Sequence, residues 1–436
     1  MIKKNIKKIV STQPINAMAS LVLPSKKKKL NKMLALAEAG KNKKNPKGQP
    51  TKITMSLSNC CNLLCPICSV HNLREKNIER VANNITPEQI KAFDKIFDKA
   101  GSINFMGFIG ESVLNPHFKE IIGYLKLKHK LDLGMSTNGM GLNEKIQDTM
   151  LKIGFDAITF SIHAATPETY KILQAGDFET VIGNLVSLAK KKMDGNYKKP
   201  RITVVYALNK ANIDEAVKMI DLIKKFKIDF FGLYHYHDYN HALKEIIVRD
   251  DEVDEINKKI DRLYNYAKEQ GVIAALPKEP PYFQKEKDRK PGEDKDRKAT
   301  ACNAPWVGLQ LRSCYSHQDS YYLGCCNVFN PFIFNYQKHI EKYGQVEFDK
   351  IWQHPVLQYL RQTVNARDGQ MNPLCAYCKS SQRAHLKATD NKENYRIKLE
   401  MIKAFFDGFN KQYKDTPVIE GLEILYTEDE ELQAMA

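Results

Sequence analysis

An α/β protein built on a parallel sheet is what this sequence predicts, and three observations carry the expectation. Between residues 51 and 240, short apolar or alternating runs recur six times. Helical patterns of ten or more residues separate them, and strand-then-helix repetition implies strands that all run one way, in a sheet either curled or doubly wound. Finally, three closely spaced cysteines follow the first strand, at the end of such a sheet where active sites form.

The elements follow in order. TKITMSLS (51–58) alternates apolar and polar residues as a strand does. In ITPEQIKAFDKIFDKAG (85–101), Thr86 suits an N-cap, Pro87 the first helical position and Gln89 a capping box, while Ile90, Phe93 and Phe97 share one face. Further strands are expected at 102–108, 131–136, 156–163, 201–208 and 228–236, and a charged helix at 249–270. Residues 277–300, rich in proline and charge, read as a linker or long loop. A second cysteine region follows, then a helical tail near 391–413 and an acidic C-terminus.

Composition sets bounds. A chain of 436 residues suffices for two or three domains. It is 43% hydrophobic and 27% charged, and no run nears the roughly 18 apolar residues of a membrane span. Ten clustered cysteines, with STQPIN (11–16) interrupting any signal-peptide core, favour a reducing cytoplasm and cluster or metal binding. The formal charge of +16 is concentrated early: no acidic residue precedes Glu38. Residues 1–50 are expected to be a solvated basic arm, the alternative being contact with an anionic membrane surface or polyanionic partner.

Cys61, Cys65 and Cys68, in CNLLCPIC, are one thiolate short of a closed tetrahedral site. On a four-iron cluster three thiolates leave one iron open, which suggests reactivity more than structure. Zinc competes weakly, with Cys60 the sole nearby candidate for a fourth ligand. HYHDYNH (235–241) is a pocket rim or, less simply, a metal site through His235, His237, Asp238 and His241. His163 either faces the cavity or satisfies a local hydrogen bond, and Trp306 and Trp352 read as core packing.

CNLLCPIC after a first strand resembles the signature of the radical S-adenosylmethionine (SAM) superfamily. GFIGESVLNP (107–116), STNG (136–139) and SIHAATPETY (161–170) match further family segments in order. The resemblance implies a partial (β/α)6 TIM-like barrel over residues 51–240. It assigns Cys61, Cys65 and Cys68 to three irons of a [4Fe–4S] cluster whose fourth iron SAM chelates. Glu111, helped by Gly110, would take the SAM amino group, and Ser136, Asn138 and Ser161 would offer polar contacts. The sequence departs from the family pattern at Ile67, Ser112, Leu173 and Gln174. A reductant such as ferredoxin or flavodoxin is implied.

Beyond the barrel, CNAPW (302–306), YYLGCC (321–326), FDKIW (348–352) and LCAYC (374–378) resemble a SPASM or twitch extension. One auxiliary [4Fe–4S] cluster is then implied, on Cys302, one of Cys325 and Cys326, Cys375 and Cys378, with structural zinc the competitor. Cys314 and Cys60 read as buried small residues. The expected organisation is a basic arm (1–50), a core barrel (51–240), a helix and charged linker (241–300), an auxiliary cluster domain (301–390) and a helical tail (391–436). The expected function is SAM cleavage and hydrogen abstraction from a small molecule, sugar or glycan, with an anionic substrate suiting the basic charge. A ribosomal-peptide maturase is the alternative, and a non-enzymatic cluster- or zinc-bearing electron-transfer or binding protein a third.

Overall fold

The computed structural model describes residues 24–68, 82–107, 110–236, 243–275, 282–283, 285, 302–313, 320–324, 332–366, 404–405, 407–412 and 419–424. The six expected strands form as β1 (Lys52–Ser56), β2 (Ser102–Phe105), β3 (Asp132–Thr137), β4 (Ala157–Ser161), β5 (Arg201–Leu208) and β6 (Phe230–His235). They lie side by side in chain order and all parallel. A two-residue β7 (Ala274–Ala275) extends the β6 edge. On the other edge β8 (Gly308–Ser313) pairs parallel to β1, so residues expected in a separate auxiliary domain continue the same sheet. Beyond it β9 (Ser320–Gly324), β10 (Phe332–Asn335) and β11 (Leu422–Ile424) run antiparallel in turn. The fold is an open, partial TIM-like barrel.

The two faces of the sheet differ, as strand alternation requires. One carries Met55, Phe105, Met135 and Phe160, all buried under helices; Phe105 meets Phe118 edge-on at 6.2 Å. The other presents Thr54, Asn104, Gly134, Ser136, Thr159 and Ser161, small or polar and mostly half-exposed. That second face is the one left accessible to solvent and is taken as the cavity face.

Local chemistry sets the helices. At α1 (Pro24–Ala39) the expectation of a solvated arm is corrected. Asn31, Ala35, Glu38 and Ala39 recur at helical spacing and are buried. Asn31 bonds both N–H and C=O of Gln49, at 2.9 and 3.0 Å, and Glu38 accepts the Gly48 N–H at 2.8 Å. The docked stripe is polar and small, which is why hydropathy does not reveal it. Lys26, Lys29 and Lys32 remain on the exposed side. Thr86 and Gln89 form the expected capping box at α2 (Pro87–Ala92). The helix then breaks at Phe93 and resumes as the short α3 (Asp94–Phe97) instead of running on to 101.

The remaining helices are α4 (Phe118–Leu127), α5 (Glu144–Ile153), α6 (Pro167–Gln174), α7 (Phe178–Asp194), α8 (Ala216–Lys225) and α9 (Val253–Glu269). Toward the C-terminus come α10 (Ala304–Val307), α11 (Tyr336–Tyr343), α12 (Phe348–Trp352) and α13 (Pro355–Thr363). Trp306 and Trp352 are core residues, and their indole N–H groups donate to Lys43 and Gly48 carbonyls at 2.8 and 2.9 Å. Among the described residues no helix is long and apolar enough to cross a membrane.

Candidate active site at the carboxyl ends of the strands

The cysteine loop leaves the carboxyl end of β1 and its root is tightly held. The Asn115 side-chain amide donates to the carbonyls of Leu57 (2.7 Å) and Ile85 (2.9 Å), one on each side of the loop. Asn59 Oδ1 accepts the Asn83 N–H at 2.9 Å, and Asn83 donates in turn to Ser320 O of β9 at 2.7 Å. Gly110 lies against this root: a Cβ there would meet the Ser58 carbonyl and come within 2.6 Å of Asn59 C. Glycine is required by the approach of one backbone to another. That contact delivers the next residue, whose N–H donates to Cys60 O at 2.6 Å.

Cys61, Cys65 and Cys68 are all partly exposed and none forms a disulfide. Cys68 N–H closes a turn onto Cys65 O at 3.0 Å, and Ile67 N–H reaches Leu173 O in α6 at 3.4 Å. Leu63, between the first two cysteines, is buried against Gly176. Among the described residues no three His, Cys, Asp or Glu side chains gather as a single metal ion would need.

Glu111 is 4% exposed. Its Oε2 accepts the Asn138 N–H at 2.9 Å, while its buried Oε1 has no partner. Burial pushes the carboxyl up to about 7, against the Asn138 hydrogen bond that favours the charged form. Asn138 also turns its side chain to the cysteine loop, donating to Asn62 Oδ1 at 2.9 Å and lying 3.7 Å from Cys61 Sγ. So Asn138 joins Glu111 to the first cysteine. Ser136 and Ser161 sit half-buried on the cavity face of β3 and β4.

His163 makes the local hydrogen bond, and that bond sets its tautomer. An amide N–H can only donate, so Nδ1, 3.1 Å from Ala207 N, is the acceptor and the proton resides on Nε2. Nε2 faces the Tyr234 hydroxyl at 3.5 Å, and burial holds the imidazole down to about 4. Gln174, where the sequence departs from the family pattern, brackets the same corner: it accepts from His163 N at 2.7 Å and donates to Ser161 O at 2.9 Å. Asn62 and Thr137 lie inside family-like segments without being marked for a role, and Gln174 is marked in the sequence only as a departure from the family pattern. For Tyr234 alternation along β6 is the one clue.

Cys302 lies elsewhere. It precedes β8, at the amino end of the parallel strands, packs near Trp306 and Val364, and exchanges hydrogen bonds with Asn365 at 2.8 and 2.9 Å. Because β9 runs antiparallel to β8 and ends at Gly324 opposite Gln310, the chain returns toward that end. Cys314, Cys325, Cys326, Cys375 and Cys378 lie outside the described residues, as do His237, Asp238 and His241 and most of residues 277–300.

Residues 55–223 match the family model of the radical SAM superfamily. A probable GTP 3′,8-cyclase of Thermococcus kodakarensis is 30% identical over 176 residues, 39% of this chain and 53% of that protein. The GTP 3′,8-cyclase of Aquifex aeolicus is 33% identical over 122 residues, 28% and 38% of the two chains. The chain thus spans about half the length, or less, of these curated relatives. Among solved structures, Streptococcus suis SuiB is similar in fold, with a TM-score of 0.51 at 12% identity over 83% of this chain and 77% of that one. SuiB bound to S-adenosylmethionine gives a TM-score of 0.50 at 16% identity, covering 72% and 68%. The match over residues 55–223 thus marks a radical SAM domain within the chain, a family whose cofactors are a [4Fe–4S] cluster and SAM.

Proposed function

We propose that Cys61, Cys65 and Cys68 hold the open cluster and that Glu111 and Asn138 seat SAM beside it. The observation that carries this is the orphaned Oε1 of Glu111, a buried carboxylate oxygen without a donor, joined through Asn138 to Cys61. A buried polar atom left unpaired costs folding free energy, so the position is suited to a donor that arrives with a ligand. An ammonium group fits, since a cation beside the carboxylate reverses the effect of burial and holds it ionised. The half-exposed thiols on one loop suit the cluster.

When bound, the cluster supplies the electron that cleaves SAM to methionine and a 5′-deoxyadenosyl radical, which takes a hydrogen atom from substrate. The chain's own part is placement. Gly110 lets Glu111 reach the cysteine loop, Asn115 fixes the loop root, and Asn138 orients the carboxylate. Ser136 and Ser161 offer hydroxyls along the cavity face, and His163 supports the Tyr234 hydroxyl at the carboxyl end of β6.

The cavity face of the central strands offers hydroxyls and amides in place of charges: Thr54, Asn104, Ser136, Thr159 and Ser161. Such a floor suits a hydroxyl-rich small molecule, sugar or glycan, and the relatives named as GTP 3′,8-cyclases support a small-molecule substrate over a peptide. Cys302 with Cys325 or Cys326, Cys375 and Cys378 would hold one auxiliary cluster for electron transfer. A ferredoxin or flavodoxin in a reducing cytoplasm would supply electrons. The exposed side of α1 carries Lys26, Lys29 and Lys32 beside Leu30, Met33 and Leu36, a surface suited to an anionic membrane. Anaerobic reconstitution tests the core of this reading: roughly eight irons per chain, and 5′-deoxyadenosine formed from SAM.

A further inference from the structure

Tyr170, in α6, is fully buried, and its hydroxyl has no hydrogen-bond partner. Its ring packs on Phe178 with centroids 5.6 Å apart. It also closes on Gly176, where a Cβ would stand 3.6 Å from the hydroxyl and 2.7 Å from Leu63 Cδ2. Leu63 lies between Cys61 and Cys65, so the hydroxyl sits beneath the cysteine loop. The Ile67 N–H bond to Leu173 O fastens that loop to the same helix. A phenol buried out of reach of water keeps its proton, so this hydroxyl is able to donate.

We infer that the Tyr170 hydroxyl is a hydrogen-bond donor to the sulfurs of the cluster on its Cys61–Cys65 side, and that it sets how easily the cluster is reduced. Reduction adds negative charge to the sulfurs, and a donor stabilises the more negative state, so the potential rises. Tyr170 is thus a positioning and tuning residue. The inference rests on the proposed assignment of Cys61, Cys65 and Cys68 as cluster ligands.

The test is Tyr170→Phe, which removes the hydroxyl and keeps the ring. Wild type and variant are reconstituted anaerobically and titrated with dithionite, following by electron paramagnetic resonance the signal that changes on adding SAM. The expected result is equal iron content with a reduction equilibrium about tenfold less favourable, a midpoint roughly 59 mV more negative for one electron. The apo-protein should melt at the same temperature or higher, because the hydroxyl has no protein partner to lose. Equal midpoints in two loaded proteins overturn the inference. So does a fall in apo stability with an unmoved midpoint, or a folded variant that has lost the cluster altogether. A wild type with no SAM-responsive cluster overturns the ligand assignment itself, and the inference with it.

Discussion

Replacing Glu111 with glutamine keeps the side chain's shape and removes its charge, and the consequence can be worked out from burial alone. The carboxyl is pushed from an ordinary 4.5 up to about 7 because it ionises out of reach of water. A folded pKa above the unfolded one means that the native state binds more protons between those values. This contribution to stability is fully present below pH 4.5 and is lost as pH rises through 7. The gap of about 2.5 pH units, at about 1.36 kcal/mol each, amounts to on the order of 3 kcal/mol by pH 8. Glutamine cannot ionise, so Glu111→Gln escapes that loss, while its amide N–H₂ at the Oε1 position forfeits about 1–3 kcal/mol at every pH. Denaturant unfolding of the apo-proteins between pH 5 and 8 should therefore show the variant gaining on wild type by roughly 3 kcal/mol across the range. The same variant should bind SAM about 10- to 100-fold more weakly, having lost a charge-assisted hydrogen bond. A stability difference that stays flat from pH 5 to 8 would refute the picture of Glu111 as a buried, half-satisfied carboxylate.

Two other outcomes are expected. Gly110→Ala drives a methyl into the backbone of Ser58 and Asn59; the apo-protein should lose about 1–3 kcal/mol, read by denaturant unfolding, and the displaced loop should retain less iron after desalting. Changing Leu30, Met33 and Leu36 together to Ser should leave the melting temperature within a few degrees of wild type, since these side chains are exposed, and should abolish the flotation with anionic vesicles expected of wild type, while neither protein floats with neutral ones.

Much of the barrel was legible because half-buried strands alternate and helices announce their starts. RITVVYAL gives β5 at its observed bounds, Arg201–Leu208, since its apolar run and flanks leave one solution. Thr86, Pro87 and Gln89 likewise state their cap chemistry openly. The break at Phe93 was not legible, because DKIFDKAG continues the apolar period on which a helix is inferred. Nor was the pairing of β8 with β1, a contact across some 250 residues that no local pattern encodes. At the site, spacing singled out Cys61, Cys65 and Cys68, and the family resemblance pointed to Glu111. The roles of the supporting residues were not legible: what Asn62, Gln174 and Tyr170 touch is set by packing between distant segments. The docking of α1 escaped notice for a related reason, since its buried stripe is built from Asn31, Glu38 and alanines.

The most direct measurement is SAM turnover by the anaerobically reconstituted, dithionite-reduced protein and its Cys61→Ala variant, with iron counted in both. The account predicts 5′-deoxyadenosine and methionine from wild type, and loss of that product in the variant while any cluster on the Cys302–Cys378 set keeps its irons. Undiminished 5′-deoxyadenosine from Cys61→Ala would contradict the assignment of the open cluster to Cys61, Cys65 and Cys68.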